Sequence, residues 1–178
     1  MVKYTQVSPS KTALLVIDVQ RALFTRPNPI YEASKLIQTI NNLVEQAHLY
    51  GVKVIYIQHA NQSILKEGTE GWQFHPKLKP NPTKVTIQKV QGNAFVGTQL
   101  QSTFEAWGIQ NILITGLVSH QCIKATSLGG IELGYKVFLV KGGHSNDLKD
   151  AADMIEQVQN ELEKAGVMPI FPEELNFG

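Results

Sequence analysis

The sequence predicts an α/β protein with a parallel sheet of about six strands and helices on both faces. The main observation is a pattern that recurs four times: a helical segment, a glycine, and then a short run of mostly apolar, β-branched residues. Such a nearly continuous apolar run is typical of a strand covered on both faces. Strands that alternate with helices pair in parallel through right-handed crossovers.

The individual elements can be placed in chain order. Strands are predicted at residues 13–17, 52–58, 85–87, 109–115, 135–140 and 167–171. The clearest amphipathic helices cover residues 33–47 and 154–162, where apolar side chains recur with the helical period. Glycine suits the left-handed conformation at a helix C-terminus, and four of the strands follow one: Gly51, Gly108, Gly134 and Gly166.

Composition predicts one domain over residues 1–178 that binds neither nucleic acid nor membrane. The 178 residues are 43% hydrophobic and 17% charged, with 16 basic and 15 acidic residues and a net charge of +1. Polyanionic partners require a positive field that this balance does not supply. The apolar stretch at 13–17 is stopped by Asp18 and is too short for a signal sequence or a membrane span. Cys122 is the only cysteine, so no intrachain disulfide can form and we expect a cytoplasmic protein.

One segment, residues 61–82, breaks the alternating pattern. It has few periodic apolar positions, three prolines and two aromatic residues, Trp72 and Phe74. A loop of this length in a compact domain is usually functional or part of an interface. The alternative is a surface excursion with a short helix.

Three reactive side chains fall at the carboxyl ends of predicted strands, the edge where open parallel sheets bind ligands. Asp18 follows the first strand, Lys89 closes the run VTIQK, and Cys122 lies six residues after Gly116. Each has an ordinary structural explanation when taken alone. An aspartate after a strand often caps a turn, a lysine is usually solvated, and a lone cysteine is usually a small buried apolar residue.

Cys122 has the stronger case because GLVSHQCIKAT is typical of a turn that leads into a helix, with Ser119 as the N-cap. A thiol in the first helical turn lies near free backbone N–H groups and the positive end of the helix dipole, which favour the thiolate. Lys89 would lower the pKa of the thiol further. The same turn can supply an oxyanion hole from backbone N–H groups.

Three motifs match one family in their order and spacing. They read ALLVIDVQRALF, KVQGNAFVGTQL and GLVSHQCIKATSLGGIELGY, and their matching residues are Asp18, Gln20, Phe24, Lys89, Ala94, Phe95, Cys122, Thr126, Gly134 and Tyr135. The chain resembles the isochorismatase-like cysteine hydrolases, which include nicotinamidases and N-carbamoylsarcosine amidases. The resemblance extends over most of the chain, residues 11–160.

The resemblance implies a fold, a set of catalytic residues and an assembly. The fold is a three-layer α/β/α sandwich of Rossmann-like type with a six-stranded parallel sheet, and the catalytic triad is Asp18, Lys89 and Cys122. A cis peptide bond between Leu117 and Val118 would aim the N–H groups of Val118 and Cys122 at the substrate oxyanion. A homo-oligomer, either a dimer or a tetramer, is implied as well.

The chain also departs from the family pattern. Some members carry an Asp-x-His metal site after the second strand, but YIQHANQS leaves His59 without that aspartate. We expect His59 to be a hydrogen-bonding or structural residue, and we expect no catalytic metal.

No G-x-G-x-x-G follows the first strand, so no cofactor is expected. Members of the family commonly have an acidic residue after the fifth strand. Here residues 142–146 read GGHSN and contain no acidic residue, which leaves the role of His144 open. Gly129 and Gly130 inside a helix predict close packing of another backbone, from this chain or a second subunit.

These observations predict a hydrolase that cleaves the C–N bond of a small, largely uncharged amide. Asp18 would take the thiol proton, Lys89 would hold the thiolate, and Cys122 would attack the carbonyl to form a thioester. Four apolar side chains are predicted as pocket walls, with core packing as their alternative: Phe24, Trp72, Phe95 and Leu117.

Other functions are compatible with the same residues. Isochorismatase-type hydrolysis of a vinyl ether would use an aspartate as general acid and would need no thiol. A Cys–His hydrolase would use His120 or His144 as its base. From another class, the chain could be a binding or assembly subunit with an idle site, or a thiol-based redox sensor. An idle, buried Cys122 would have a pKa at or above the free value, whereas a catalytic one is expected below it.

Overall fold

The structure is a computed structural model and describes residues 4–178, so residues 1–3 of the predicted domain lie outside the described part. The elements in chain order are β1 (Thr5–Gln6), β2 (Thr12–Ile17), α1 (Ala33–Tyr50), β3 (Lys53–His59), β4 (Val85–Lys89), α2 (Leu100–Trp107), β5 (Asn111–Leu117), α3 (Lys124–Glu132), β6 (Lys136–Ser145), α4 (Ala151–Lys164), β7 (Met168–Ile170) and β8 (Leu175–Asn176). A π-helical turn, Ser119–Ile123, connects β5 to α3.

Six of the strands form one parallel sheet in the order β4-β3-β2-β5-β6-β7. The chain builds outward from β2 to β4 on one side, then crosses to β5 and builds outward to β7 on the other. The order therefore reverses between β2 and β5, which opens a crevice at their carboxyl ends. The predicted six-stranded parallel sheet is confirmed. The short strands β1 and β8 pair with each other in parallel, apart from this sheet.

The sheet has an apolar core on each face, because successive side chains of its inner strands point to opposite faces and are buried on both. Leu14 and Val16 of β2 pack with α1 on one face, where Ile40 is fully buried. Leu15 and Ile17 pack on the other face with α2, α3 and α4, where Phe104 is fully buried. The three-layer α/β/α arrangement is therefore confirmed, with one helix on one side and three on the other.

Three local features differ from the sequence predictions. Strand β5 extends to Leu117, so Cys122 lies in a π-turn rather than in the first turn of an α-helix. Strand β6 continues to Ser145 instead of ending near residue 140, with an irregular register opposite β5. The segment 61–82 contains no helix. The ends of these elements depend on strand pairing and buried contacts between distant parts of the chain, which the periodicity of apolar residues in the sequence does not reveal.

Gly129 and Gly130 pack against side chains of this same chain rather than against another backbone. A Cβ atom at Gly129 would lie 2.4 Å from the Asn93 side chain, and one at Gly130 would lie 2.8 Å from Val137. These contacts seat the segment that follows Lys89 on α3. Within residues 4–178, no helix is both long and apolar enough to cross a bilayer.

Candidate active site

Four polar side chains meet at the carboxyl edge of the sheet, where the strand order reverses. Asp18 directly follows β2, while His59 and Lys89 are the last residues of β3 and β4. Cys122 lies in the π-turn after β5. One ligating atom each of Asp18, His59 and Cys122 lies within 4.8 Å of the other two. The strand order alone explains this convergence, since β2 is next to both β3 and β5.

The Lys89 ammonium lies at the centre of this cluster. Its Nζ atom is 2.9 Å from Asp18 Oδ2, 2.9 Å from His59 Nδ1 and 3.2 Å from Cys122 Sγ. An ammonium carries three N–H donors and no acceptor, so these contacts use all of its hydrogens. Lys89 and Asp18 are each only 2% exposed, so their ion pair is buried. The three residues of the predicted triad are therefore in contact through one side chain.

A close approach between β2 and β5 holds the site together. Gly116 has a φ of 117°, and a Cβ atom there would lie 2.0 Å from the carbonyl oxygen of Ile17. Only glycine tolerates both this conformation and this distance. Asp18 itself has a φ of 53° and donates its N–H to the Ile57 carbonyl at 3.0 Å. The carboxylate is thereby fixed beside the turn that carries Cys122.

Burial raises the proton affinity of both acidic groups. It raises the pKa of Asp18, although the Lys89 ammonium opposes the shift. Burial also raises the pKa of Cys122 to about 12, with the Asp18 carboxylate adding to the shift and Lys89 opposing it. The resting thiol is therefore protonated at neutral pH. The sequence predicted a lowered pKa, but the cost of removing a thiolate from water outweighs the nearby positive charge.

The backbone before Cys122 carries a free donor. The peptide bond between Leu117 and Val118 is cis, as the family resemblance implies. The Val118 N–H has no hydrogen-bond partner within residues 4–178, and the N–H groups of Gln121 and Ile123 both donate to the Val118 carbonyl. An unpaired N–H group at the start of the turn that carries a thiol is suited to an oxyanion hole.

His59 and Gln20 belong to the site in ways that the sequence did not reveal. The Gln20 side chain is fully buried and hydrogen-bonds both backbone groups of His59. The His59 ring reaches Lys89 because β3 and β4 pair these two residues in register. The available signal was that His59 ends an apolar run, like Asp18 and Lys89. Without the register, that signal did not distinguish a site residue from a structural one.

A metal ion in this cluster would compete with Lys89 for three of its side chains. Asp18, His59 and Cys122 offer one carboxylate, one imidazole and one thiol, a set that suits zinc by type. The same three groups accept hydrogen bonds from Lys89 Nζ. The ammonium thus supplies a positive charge to one atom of each group, while Asp18 Oδ1 is buried and has no hydrogen-bond partner within the described residues.

The four predicted pocket walls fall in different surroundings. Leu117 is fully buried in the core on the α1 face, and Phe95 packs between Phe104 and Tyr135 in the other core. Both environments favour core packing over contact with substrate. Phe24 packs against His75 with the two rings tilted and 4.4 Å between their centroids, and it lines a surface cavity of about 530 Å³ that includes no residue of the triad.

Trp72 is the predicted wall with the closest link to the site. Its carbonyl accepts hydrogen bonds from Gln20 at 2.8 Å and from Gln58 at 3.0 Å, and these two glutamines flank Asp18 and His59 in sequence. Its indole Nε1 is buried and has no hydrogen-bond partner within residues 4–178. An unpaired buried donor is unusual and is suited to a ligand acceptor.

Two further histidines, His120 and His144, lie in the π-turn that carries Cys122 and in β6 behind it. His144 is buried, with Nδ1 2.9 Å from Ser119 Oγ and Nε2 3.2 Å from the Gln159 amide. Burial lowers the pKa of His144 to about 4, so the ring is neutral. It buttresses the π-turn from the side of β6 and α4. His120 Nδ1 is buried and unpaired within the described residues.

The comparisons with known proteins agree with this fold. A family model, the isochorismatase domain, matches residues 12–164. An isochorismatase from Pseudomonas putida KT2440 superposes with a TM-score of 0.86 at 21% identity, covering 98% of this chain and 94% of that one. The chain therefore belongs to the isochorismatase family.

Two curated relatives are named for hydrolytic activities. A streptothricin hydrolase from Streptomyces noursei is 29% identical over 149 residues, which are 82% of this chain and 54% of the relative. A ureidoacrylate amidohydrolase from Acinetobacter baylyi is 26% identical over 168 residues, covering 73% of this chain and 69% of the relative. The chain thus spans about half the length of the streptothricin hydrolase that it matches.

Proposed function

We propose that this protein is a cysteine hydrolase that cleaves the C–N bond of a small amide through a thioester on Cys122. One observation carries the proposal: Lys89 Nζ contacts both Asp18 Oδ2 and Cys122 Sγ in a buried site. A carboxylate and a thiol that both contact one ammonium support the roles of base and nucleophile beside a fixed positive charge. The amidohydrolase name of one relative supports the choice of an amide bond.

Acylation begins with a proton transfer inside the site. Cys122 Sγ attacks the carbonyl carbon of the amide while its proton passes to Asp18, whose pKa burial has raised. Lys89 stabilises the sulfur as it becomes negative. The N–H groups of Val118 and Cys122 donate to the oxyanion, and Leu117 supplies the other half of the cis peptide bond before them. Asp18 then returns the proton to the leaving nitrogen, the C–N bond breaks, and ammonia or an amine departs.

Deacylation uses the same groups in the same order. Asp18 takes a proton from a water molecule, the hydroxide attacks the thioester carbonyl, and the C–S bond breaks. The acid product leaves, and Cys122 recovers its proton from Asp18. No charge enters or leaves the buried site during the cycle, because the carboxylate and the thiol exchange a single proton beside a constant ammonium.

The substrate class and the assembly follow from the same reasoning as proposals. A buried site with balanced charge favours a small, largely uncharged amide, with Trp72 as the nearest of the predicted walls and Phe24 as a more distant one. A cytoplasmic location and a homo-oligomer, dimer or tetramer, remain predictions. Light scattering on the purified protein measures the oligomer directly.

Hydrolysis of a vinyl ether is a second candidate because the raised pKa of Asp18 suits a general acid. This chemistry protonates a carbon and does not use the thiol. Alkylation of Cys122 separates the two reactions cleanly, since the chain has no other cysteine. It abolishes amide hydrolysis and leaves vinyl ether cleavage in place.

An ammonia-release screen over small amides tests the main proposal, with Cys122→Ala as the blank. We expect at least one neutral amide to be hydrolysed by the wild type and the rate to fall by about 10³-fold or more in the variant. Cys122→Ser is the matched control that keeps the shape and replaces the nucleophile. Full amide turnover by Cys122→Ala would contradict the thioester mechanism.

A further inference from the structure

The backbone of His59 is fixed on both sides by one buried side chain. Gln20 Oε1 accepts the His59 N–H at 2.9 Å, and Gln20 Nε2 donates to the His59 carbonyl at 2.9 Å. The same Nε2 donates to the Trp72 carbonyl at 2.8 Å, so the end of β3 is tied to the loop that follows it. A ring held on a backbone this constrained is positioned before any ligand arrives.

The contact with Lys89 determines which ring nitrogen of His59 carries the proton. Lys89 Nζ lies 2.9 Å from His59 Nδ1, and an ammonium can only donate. Nδ1 is therefore the acceptor, and in the neutral ring the proton must be on Nε2. Burial, followed by the charge of Lys89, lowers the pKa of His59 and keeps the ring neutral. The ring thus has a fixed tautomer with its N–H directed away from Lys89.

The His59 Nε2–H group has no hydrogen-bond partner among the described residues. Within residues 4–178 it makes no hydrogen bond, and it is absent from the fully buried polar atoms that lack one. The His59 residue as a whole is partly exposed. A preorganised donor is therefore left open to solvent on a ring that lies beside the thiol, since one nitrogen of His59 is within 4.8 Å of Cys122 Sγ.

We propose that His59 contacts the substrate directly and that its Nε2–H donates a hydrogen bond to an acceptor atom of a small neutral amide beside Cys122. This inference rests on the proposed amide hydrolase function and names a residue that selects its substrates. A neutral donor favours a carbonyl oxygen or an unprotonated ring nitrogen and disfavours a cationic group. Substrates without an acceptor at that place leave the donor unpaired and bind more weakly.

Two substitutions separate the two nitrogens of the ring. Asparagine places an amide group near the position of Nδ1, so His59→Asn keeps an acceptor for Lys89 and removes the outer donor. Glutamine reaches the position of Nε2, so His59→Gln restores the donor. His59→Ala removes both groups. Circular dichroism and thermal unfolding on all three variants establish that they are folded.

The rate of Cys122 alkylation provides a readout that does not require turnover. Iodoacetamide carries a neutral amide with a carbonyl acceptor, whereas iodoethane carries no acceptor, and both can alkylate only one cysteine. The ratio of the two rates cancels any change in the intrinsic reactivity of the thiol. Intact mass spectrometry measures both rates.

We expect this ratio to fall by about tenfold or more in His59→Ala and His59→Asn and to recover to within about threefold in His59→Gln. With an amide substrate from the release screen, the same two variants should raise KM more than they lower kcat. A ratio unchanged in His59→Ala overturns the proposal. A ratio restored by asparagine but not by glutamine also overturns it, because His59 would then act only through Lys89.

The alkylation ratio tests the role of His59 independently of the proposed amide hydrolysis. A screen in which no amide is hydrolysed counts against amide hydrolysis, and the alkylation ratio still decides whether His59 donates to a bound amide. Conversely, an unchanged ratio in an enzyme whose amide turnover depends on Cys122 shows that His59 does not contact the substrate and leaves the thioester mechanism standing.

Discussion

In the proposed mechanism Asp18 and Cys122 exchange one proton, so their relative proton affinity matters more than the pKa of either group. Burial raises the pKa of both groups, so the two shifts partly cancel in the transfer between them. Lys89 contacts both groups and stays next to whichever is negative. The thiolate can therefore form when the substrate arrives, without a titration against solvent. A raised thiol pKa, which as an isolated value would suggest an idle cysteine, is compatible with catalysis in this pair.

His144 makes the stability of the fold depend on pH. Burial lowers its pKa to about 4 in the folded protein, while an unfolded histidine titrates near 6.5. The unfolded state binds more protons between these values, so the stability present above about pH 6.5 is lost as the pH falls towards about 4. We expect a loss of roughly 3 kcal/mol from this group. Urea unfolding at a series of pH values measures it.

His144→Asn is the variant that isolates this contribution. It keeps a polar group near Ser119 but has no proton to bind, so the difference in unfolding free energy between it and the wild type should narrow as the pH falls from 7 to 4. His120→Asn is the matched control. A difference that stays constant over that range would show that His144 is not buried as a neutral ring.

Glycine conformations and close contacts decide how the ends of β2 and β5 meet. Gly116 and Gly51 both have positive φ values, 117° and 75°. A Cβ atom at Gly116 would overlap the Ile17 carbonyl oxygen, whereas one at Gly51 would have no atom within 4 Å. Substitutions at these two glycines therefore separate the free-energy cost of a positive φ from the cost of the overlap with the Ile17 carbonyl oxygen.

Gly51→Ala should lower the free energy of unfolding by about 1–2 kcal/mol, the cost of a left-handed alanine. Gly116→Ala should lower it by more than about 3 kcal/mol and should also abolish amide hydrolysis, because the overlap pushes Asp18 away from the turn of Cys122. Urea unfolding and the ammonia assay measure the two effects. Equal losses in the two variants, with activity retained in both, would contradict the role given to Gly116.

Strands were easier to predict than the irregular backbone next to them. The apolar runs of β2, β3 and β6 are distinctive because both faces of these strands are buried. The continuation of β6 to Ser145 and the π-turn before α3 depend on the bulged register opposite β5, and no local pattern encodes a register between distant strands. For the same reason, the helix-start interpretation of Cys122 was wrong in its local geometry.

Across the whole molecule, the sequence predicted the fold and the residues of the proposed triad, but not the cluster as built. Asp18 and Lys89 could be found because each ends an apolar run at an edge where ligands bind. His59 and Gln20 could not be assigned, since their roles depend on the pairing of β3 with β4 and on the folding of the later loop over Asp18. The pattern could not separate the two roles weighed for Phe95, because an aromatic side chain looks the same in a core as in a pocket wall, and the structure packs its ring against Phe104 and Tyr135.

The most direct test of the thioester is to trap the acyl group with hydroxylamine during turnover of an amide found in the release screen. The wild type should divert part of its product to the hydroxamate, and acid-quenched protein should carry the mass of the acyl group on the peptide that contains Cys122. The Cys122→Ala variant should give neither. Undiminished turnover by that variant, with no hydroxamate and no adduct from the wild type, would contradict the account.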